Sequence, residues 1–170
     1  MPQAARWTGL AAMPTATVAE DVAPILVIGI GNPSRGDDAL GPLCIERLAS
    51  LHLPHVELIS DFQLQVEYAL DLLGRRQVIF VDAALDGPAP FDFTPTSAAE
   101  DNSYSSHAMS PAALLQACRM LYDERPKAWV LGIRGEVFTL GAELSQAAAG
   151  HLEAALAYLS ARLVSESNAV

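Results

Sequence analysis

Basic residues are scarce in this chain. Ten basic residues, only one of them a lysine, stand against 20 acidic residues in a sequence of 170, which gives a formal net charge of −10. A protein that follows a phosphate backbone needs a surface of clustered lysine and arginine side chains. The composition therefore excludes nucleic acid as the expected partner.

Cysteine is scarce as well, and no apolar run is long enough to cross a bilayer. The two cysteines, Cys44 and Cys118, lie far apart and show no CxxC spacing. Such usage is typical of reduced thiols in a cytoplasmic protein. A membrane-spanning helix needs about 20 consecutive apolar residues, and the sequence contains no such run. We therefore expect a cytoplasmic, monomeric protein that makes no use of a membrane.

Apolar residues, in contrast, are abundant. They make up 51% of the chain, whereas charged residues make up 18%. This composition and length predict one domain with a substantial core. Residues 1–23 are rich in alanine, threonine and proline and show no periodicity, so we interpret them as a flexible N-terminal extension. The domain is predicted to cover residues 24–164, and residues 165–170 are predicted to fray.

Short apolar runs alternate with helical patterns along the domain. This alternation predicts βαβ units and hence an α/β fold, a three-layer α/β/α sandwich with a mostly parallel central sheet. Residues 84–106 show neither period and are interpreted as a long connection, and residues 136–140 leave the choice between an extended segment and a fifth strand open. The predicted strands are 25–28, 56–60, 77–81 and 128–133, and the predicted helices are 40–51, 64–73, 111–122 and 145–163.

The stretch PILVIGIGNPSRGDDALG, residues 24–41, joins a buried strand to a glycine-containing turn and two adjacent carboxylates. Gly29 and Gly31 allow backbone angles and close approaches that a Cβ atom would prevent. Asp37 and Asp38 follow the turn and precede a helical pattern. The turn is therefore expected to leave carboxylates at the carboxyl edge of a central strand, where active sites of open α/β sheets lie.

Two other interpretations of an α/β sheet have less support, a nucleotide-binding domain and a serine hydrolase. A dinucleotide-binding GxGxxG turn would need a third glycine at position 34, where Ser34 stands. The chain also has no GxSxG motif, so a serine hydrolase of the usual α/β type has no support.

The predicted sheet brings further polar side chains to the same edge. Asp82 comes at the end of the third predicted strand, and His107 precedes the third predicted helix. With Asp37 and Asp38 they form an open set of oxygen and nitrogen donors, which suits Ni²⁺ or Zn²⁺ and leaves coordination positions for a substrate. The alternative is structural: aspartates after strands often cap helices or bond loop amides.

Four segments, in order, resemble the hydrogenase maturation proteases, the nickel-dependent endopeptidases of [NiFe]-hydrogenases. GIGNPSRGDDALG is similar to that family's GxGNxxxxD[DE]xxG signature, VDA at residues 81–83 to its strand-end aspartate, SSHAMSP to its SxH segment and GIRG at residues 132–135 to its late strand. Some members have glutamate where this chain has Asp38, which is one methylene shorter.

The resemblance implies an endopeptidase that recognises nickel in the precursor large subunit of a [NiFe]-hydrogenase and removes its C-terminal peptide. It implies Asp38, Asp82 and His107 as catalytic and metal-contacting residues, with Asp37 as the alternative to Asp38. The nickel ion is supplied by the substrate. A different class of function, a non-catalytic nickel-binding chaperone or sensor of hydrogenase assembly, would use the same site.

Overall fold

Five strands form one sheet in the computed structural model, which describes residues 22–99 and 109–167. The predicted α/β sandwich with a mostly parallel sheet is confirmed. In spatial order the strands are β2, β1, β3, β5 and β4, and only β4 runs antiparallel. The elements are β1 (Ile25–Ile30), α1 (Leu40–Ala49), β2 (Val56–Asp61), β3 (Gln77–Ala84), β4 (Phe91–Thr96), α2 (Pro111–Tyr122), β5 (Lys127–Arg134) and α3 (Gln146–Ser167), with single 3₁₀ turns at Gly36–Ala39 and Val66–Ala69.

Alternate residues of the central strands pack into two cores, one on each face of the sheet. Val27 and Ile79 face α1 and α3, while Ile28 and Phe80 face α2 and the second 3₁₀ turn. All six residues of β1 are buried, as expected for a parallel strand covered by helices on both faces. This strand is therefore a fixed base for the turn that follows it.

Three glycines allow α1 to approach the sheet closely. A Cβ atom on Gly41, in the first turn of α1, would lie 2.2 Å from the carbonyl oxygen of Ile30 and 2.7 Å from that of Val81. One on Gly29 would lie 2.4 Å from the side chain of Ile45, and one on Gly31 would overlap the backbone of Asp38. These glycines therefore let β1, the turn after it and α1 pack against one another.

The predicted helix at residues 64–73 is wrong. The segment forms only the 3₁₀ turn Val66–Ala69 and a run of further turns, in which backbone N–H groups bond to carbonyls three residues back. Its buried residues are Leu64, Ala69 and Leu72, whereas Leu70 is 55% exposed. The step of five residues from Leu64 to Ala69 does not match the three- and four-residue spacing of one helical face, so this apolar pattern does not require a helix.

The interpretation of residues 84–106 as one connection is also wrong, because the segment contains β4. Pro95 conceals this strand in the sequence, but an edge strand accepts proline since one side of its backbone has no partner. Phe91 and Phe93 point to one side, where they pack against Tyr158 of α3, and Phe93 also stacks on Trp129 of β5 with ring centroids 6.3 Å apart.

Other differences concern where elements end. β3 continues three residues beyond its predicted end, so Asp82 lies within the strand and not after it. α3 continues to Ser167 and not only to residue 163, and an Arg162–Glu166 ion pair of 3.3 Å supports its last turns. α2 begins at Pro111 as predicted, and Ser110 caps it by accepting a hydrogen bond from the Ala113 N–H at 3.2 Å.

The close approach of α1 predicts opposite effects for two substitutions of helical glycines. We expect Gly41→Ala to lower the free energy of unfolding by about 1–3 kcal/mol, because its new methyl group meets backbone that cannot move aside. Gly150→Ala, in α3, meets nothing within 4 Å and should raise it by about 0.5–1 kcal/mol through the better helix propensity of alanine. Urea unfolding measures both, and a Gly41→Ala protein as stable as the wild type would contradict the packing described.

Candidate functional site

The carboxyl edge of the sheet has a natural cleft between β1 and β3. The chain leaves β1 to form β2 on one side and then returns to form β3 on the other. Loops that leave two neighbouring strands in opposite directions open a crevice between them, and ligands of open α/β sheets bind there. Asp38 follows β1 and Asp82 lies near the end of β3, so the two are on opposite sides of this crevice.

Asp38 lies in the 3₁₀ turn Gly36–Ala39 and is half-buried. Its Oδ2 atom accepts a hydrogen bond of 3.1 Å from the N–H of Asn32, which closes the turn. Within the described residues its Oδ1 atom has no hydrogen-bond donor. One oxygen of this carboxylate therefore holds the turn, while none of residues 22–99 and 109–167 donates a hydrogen bond to the other.

Asp82 is half-buried opposite Asp38. Its Oδ1 atom accepts a hydrogen bond of 2.8 Å from the N–H of Ala83. Its register partner on β5 is Gly132, which carries no side chain, and the pairing of β3 with β1 ends one residue earlier. Burial raises the pKa of Asp82 to about 7, and the charge of Asp38 adds to the rise although the Ala83 N–H opposes it. A proton or a cation between the two carboxylates would relieve this cost.

Asp37 has a different environment from its neighbour, because its side chain is completely buried. Oδ2 accepts hydrogen bonds from the N–H groups of Glu136 (2.7 Å) and Val137 (2.9 Å), and from the hydroxyl of Ser145 (2.8 Å). Oδ1 accepts one from the N–H of Ser145 at 2.7 Å. Burial alone would raise the pKa of Asp37, but these donors together hold it below its usual value. Both oxygens are therefore already bonded to the protein.

The question left open for residues 136–140 is answered by these bonds. The segment forms no strand, because the N–H groups of Glu136 and Val137 donate to Asp37 and not to a neighbouring strand.

His107 lies outside the described residues, so its predicted place at this edge stays a prediction. The described residues around it show two relevant facts. The alternation along β3 puts Asp82 on the face of Val78 and Phe80, which is the face that α2 covers. α2 ends at Tyr122 just before β5 begins at Lys127, so its first turn lies toward the carboxyl edge. Within the described part of the chain, no three His, Cys, Asp or Glu side chains converge as a metal site.

Comparison with known proteins shows where this fold occurs elsewhere. No protein-family model matches the chain. Two solved structures resemble it, each with a TM-score of 0.66 and covering 84% of this chain and 93% of its own: the hydrogenase maturating endopeptidase HybD of Escherichia coli, 24% identical, and the [NiFe] hydrogenase maturation protease HycI of Thermococcus kodakarensis KOD1, 26% identical.

The predicted resemblance to the hydrogenase maturation proteases is confirmed. A curated relative, the hydrogenase expression/formation protein HupD of Rhodobacter capsulatus, is 38% identical over 72 residues, which is 42% of this chain. The matched segment spans 32% of HupD, about a third of its length.

Within this hydrogenase maturation protease fold, sequence reasoning missed one residue that shapes the site. Ser145 was predicted only as the start of the last helix. It does cap α3, since its hydroxyl oxygen accepts a hydrogen bond of 3.2 Å from the Ala148 N–H, but the same hydroxyl donates to Asp37. A serine before an alanine-rich helix indicates a cap. No sequence feature near Ser145 indicates its contact with Asp37, which lies 108 residues earlier in the chain.

The raised pKa of Asp82 predicts a pH-dependent gain in stability for Asp82→Asn. The folded pKa of about 7 lies above the ordinary value of 3.8, so ionisation of Asp82 disfavours folding as the pH rises from about 4 to above 7. At pH 8 we expect the variant to be more stable than the wild type by about 2–4 kcal/mol, and at pH 4 by less than about 1 kcal/mol. Urea unfolding at the two pH values measures the difference.

The control is Asp86→Asn, which removes an exposed carboxylate four residues along the chain. It should change the free energy of unfolding by no more than about 0.5 kcal/mol, as is usual for a substitution at an exposed position. An Asp82→Asn protein whose stability relative to the wild type does not change with pH would contradict the burial of this carboxylate in the crevice.

Proposed function

We propose that this protein is an endopeptidase that recognises nickel in the precursor large subunit of a [NiFe]-hydrogenase and removes the C-terminal peptide. The observation that carries the proposal is the crevice between β1 and β3, where Asp38 and Asp82 oppose each other in a fold shared with hydrogenase maturation endopeptidases. The similarity of a 72-residue segment to HupD supports it from the sequence. The buried, unpaired thiols of Cys44 and Cys118 are compatible with a cytoplasmic protein, and we take the enzyme to be a monomer.

Asp38, Asp82 and His107 are the residues we propose to contact the nickel ion. Asp38 is favoured over Asp37 because both oxygens of Asp37 are bonded within the protein, whereas Oδ1 of Asp38 has no donor in the described part of the chain. Carboxylate oxygens with an imidazole nitrogen are suitable donors for a borderline divalent ion. Two carboxylates that repel each other also favour a cation between them.

In this proposal the precursor large subunit supplies the nickel ion, which is therefore part of the substrate. A site with few protein ligands binds the ion weakly by itself and strongly when the precursor contributes ligands of its own. Cleavage would then depend on correct metal loading, because specificity is a difference between two binding free energies.

Hydrolysis needs a water molecule, a proton acceptor and a proton donor. The water oxygen forms a bond to the peptide carbonyl carbon, the C–N bond breaks, and the leaving amine receives a proton. On one route Asp38 and His107 hold the ion and Asp82 stays free of it. Its pKa of about 7 then lies in the range where a carboxylate takes a proton from the water and returns it to the leaving amine near neutral pH. Polarisation of the water or the carbonyl by the substrate's nickel is the other route compatible with the site.

Incubation with a nickel-loaded precursor large subunit tests the activity directly. We expect the wild-type protein to shorten the subunit by one C-terminal peptide, which intact mass spectrometry detects, and to leave a nickel-free precursor at full mass. Asp38→Ala, Asp82→Ala and His107→Ala should each slow cleavage by at least about 100-fold, since each removes a ligand needed in the transition state.

Asp86→Ala is the matched control and should cleave at the wild-type rate, because Asp86 is an exposed carboxylate at the same edge. A wild-type protein that leaves its loaded cognate precursor at full mass would overturn the proposal.

The competing function, a nickel chaperone or sensor, makes a different prediction for the protein alone. Such a protein would bind Ni²⁺ tightly without a partner and cleave nothing. Isothermal titration with Ni²⁺ in the absence of precursor separates the two, and the endopeptidase proposal predicts weak binding in this experiment.

A further inference from the structure

Asp37 is the only acidic side chain that is fully buried in the described part of the chain. A buried carboxylate is costly unless its charge is compensated. None of the ion pairs found among the described residues includes Asp37, so within that part of the chain hydrogen-bond donors and not a cationic side chain compensate it. Such an arrangement stabilises one geometry strongly, because any movement of the turn leaves donors and acceptors unpaired.

All these donors come from one distant segment. Glu136 and Val137 follow β5, and Ser145 begins α3, so every bond to the Asp37 carboxylate crosses about 100 residues of sequence. Gly135 makes the contact possible, because a Cβ atom there would lie 2.9 Å from the Cβ of Asp37. The carboxylate therefore ties the turn after β1 to the segment between β5 and α3.

Backbone bonds tie the same two segments at Asp37 and at the residues before it. Its own N–H donates to the carbonyl of Val137 at 2.7 Å, and the N–H of Gly36 donates to that of Ala142 at 3.1 Å. In the opposite direction, the N–H of Gly141 donates to the carbonyl of Ser34 at 2.7 Å. Asp38 is the next residue in the 3₁₀ turn, so the backbone that carries its side chain is held on one side by this network.

Ser145 joins the network to α3. Its hydroxyl hydrogen is donated to Asp37, while its oxygen accepts from the first turn of the helix at Ala148. The N-terminal end of a helix also carries partial positive charge, which favours the nearby carboxylate. Loss of this one hydroxyl loosens the turn without removing a buried charge.

We propose that Asp37 and Ser145 are positioning residues that hold Asp38 in place opposite Asp82. The part of this inference that concerns catalysis rests on the proposed endopeptidase function. Asp37 is then neither a ligand nor a simple helix cap. Its role is to transmit the fixed position of α3 and the segment after β5 to the turn that carries Asp38.

The test compares Ser145→Ala with Leu159→Val, a control in the same helix. Leu159 is fully buried in the core and lies about 20 Å from the start of α3, at about 1.5 Å per residue. Both substitutions lower stability, but only Ser145→Ala touches the turn. At a temperature where circular dichroism shows all variants to be folded, we expect Ser145→Ala to lower kcat about tenfold with KM changed less than about twofold, and Leu159→Val to change neither.

Ser145→Thr keeps the hydroxyl and should restore kcat. Asp37→Asn, which keeps the shape but loses one acceptor oxygen, should lower kcat further. A Ser145→Ala protein with wild-type kcat, or a Leu159→Val protein that is slowed equally, would overturn the positioning role.

Amide hydrogen exchange tests the hydrogen-bond network around Asp37 independently of any cleavage. Without substrate, the segments 31–38 and 136–145 should exchange at least about tenfold faster in Ser145→Ala than in the wild type or in Leu159→Val. Unchanged exchange in both segments would overturn the inference even if the enzyme cleaves its substrate. If the wild type cleaves nothing while exchange rises as expected in Ser145→Ala, the role of the hydrogen-bond network is supported and the proposed function fails.

Discussion

The carboxylate of Asp37 is buried with no cation beside it in the described part of the chain, and four hydrogen bonds from Glu136, Val137 and Ser145 balance its charge. These bonds decide the shape of the turn after β1. Since an uncompensated charge in the interior is expensive, the turn, the segment after β5 and the start of α3 have one favourable arrangement relative to one another. The position of Asp38 follows from that arrangement.

The sheet and the glycines fix the two ends of the turn that carries Asp38. β1 is buried along its whole length, and Gly29 and Gly41 let α1 pack directly on its backbone. The turn thus begins on a rigid strand and ends in a helix that has no room to shift. Asp82 reaches the same crevice from β3, on the side where Gly132 carries no side chain. Backbone that is tightly held thus brings two carboxylates to one crevice, each with a single hydrogen-bond donor among the described residues.

Sequence reasoning succeeded where the signal is local. The apolar runs of β1 and β5 and the start of α2 at Pro111 each depend on residues close together in the chain. β4 was missed because Pro95 interrupts its two-residue alternation. The distinction between Asp37 and Asp38 was out of reach for a different reason: the two are chemically identical neighbours, and only residues about 100 positions later determine which one is buried. The placement of His107 stays a prediction.

The long separation between Asp37 and its donors also bears on when the site can form. A loop of about 100 residues must close before the turn after β1 gains its hydrogen bonds, and such non-local contacts form late in folding. During synthesis, a chain that has not reached Ser145 contains Asp38 but lacks a donor that orders the turn. The crevice is therefore completed only when nearly the whole domain has been synthesised.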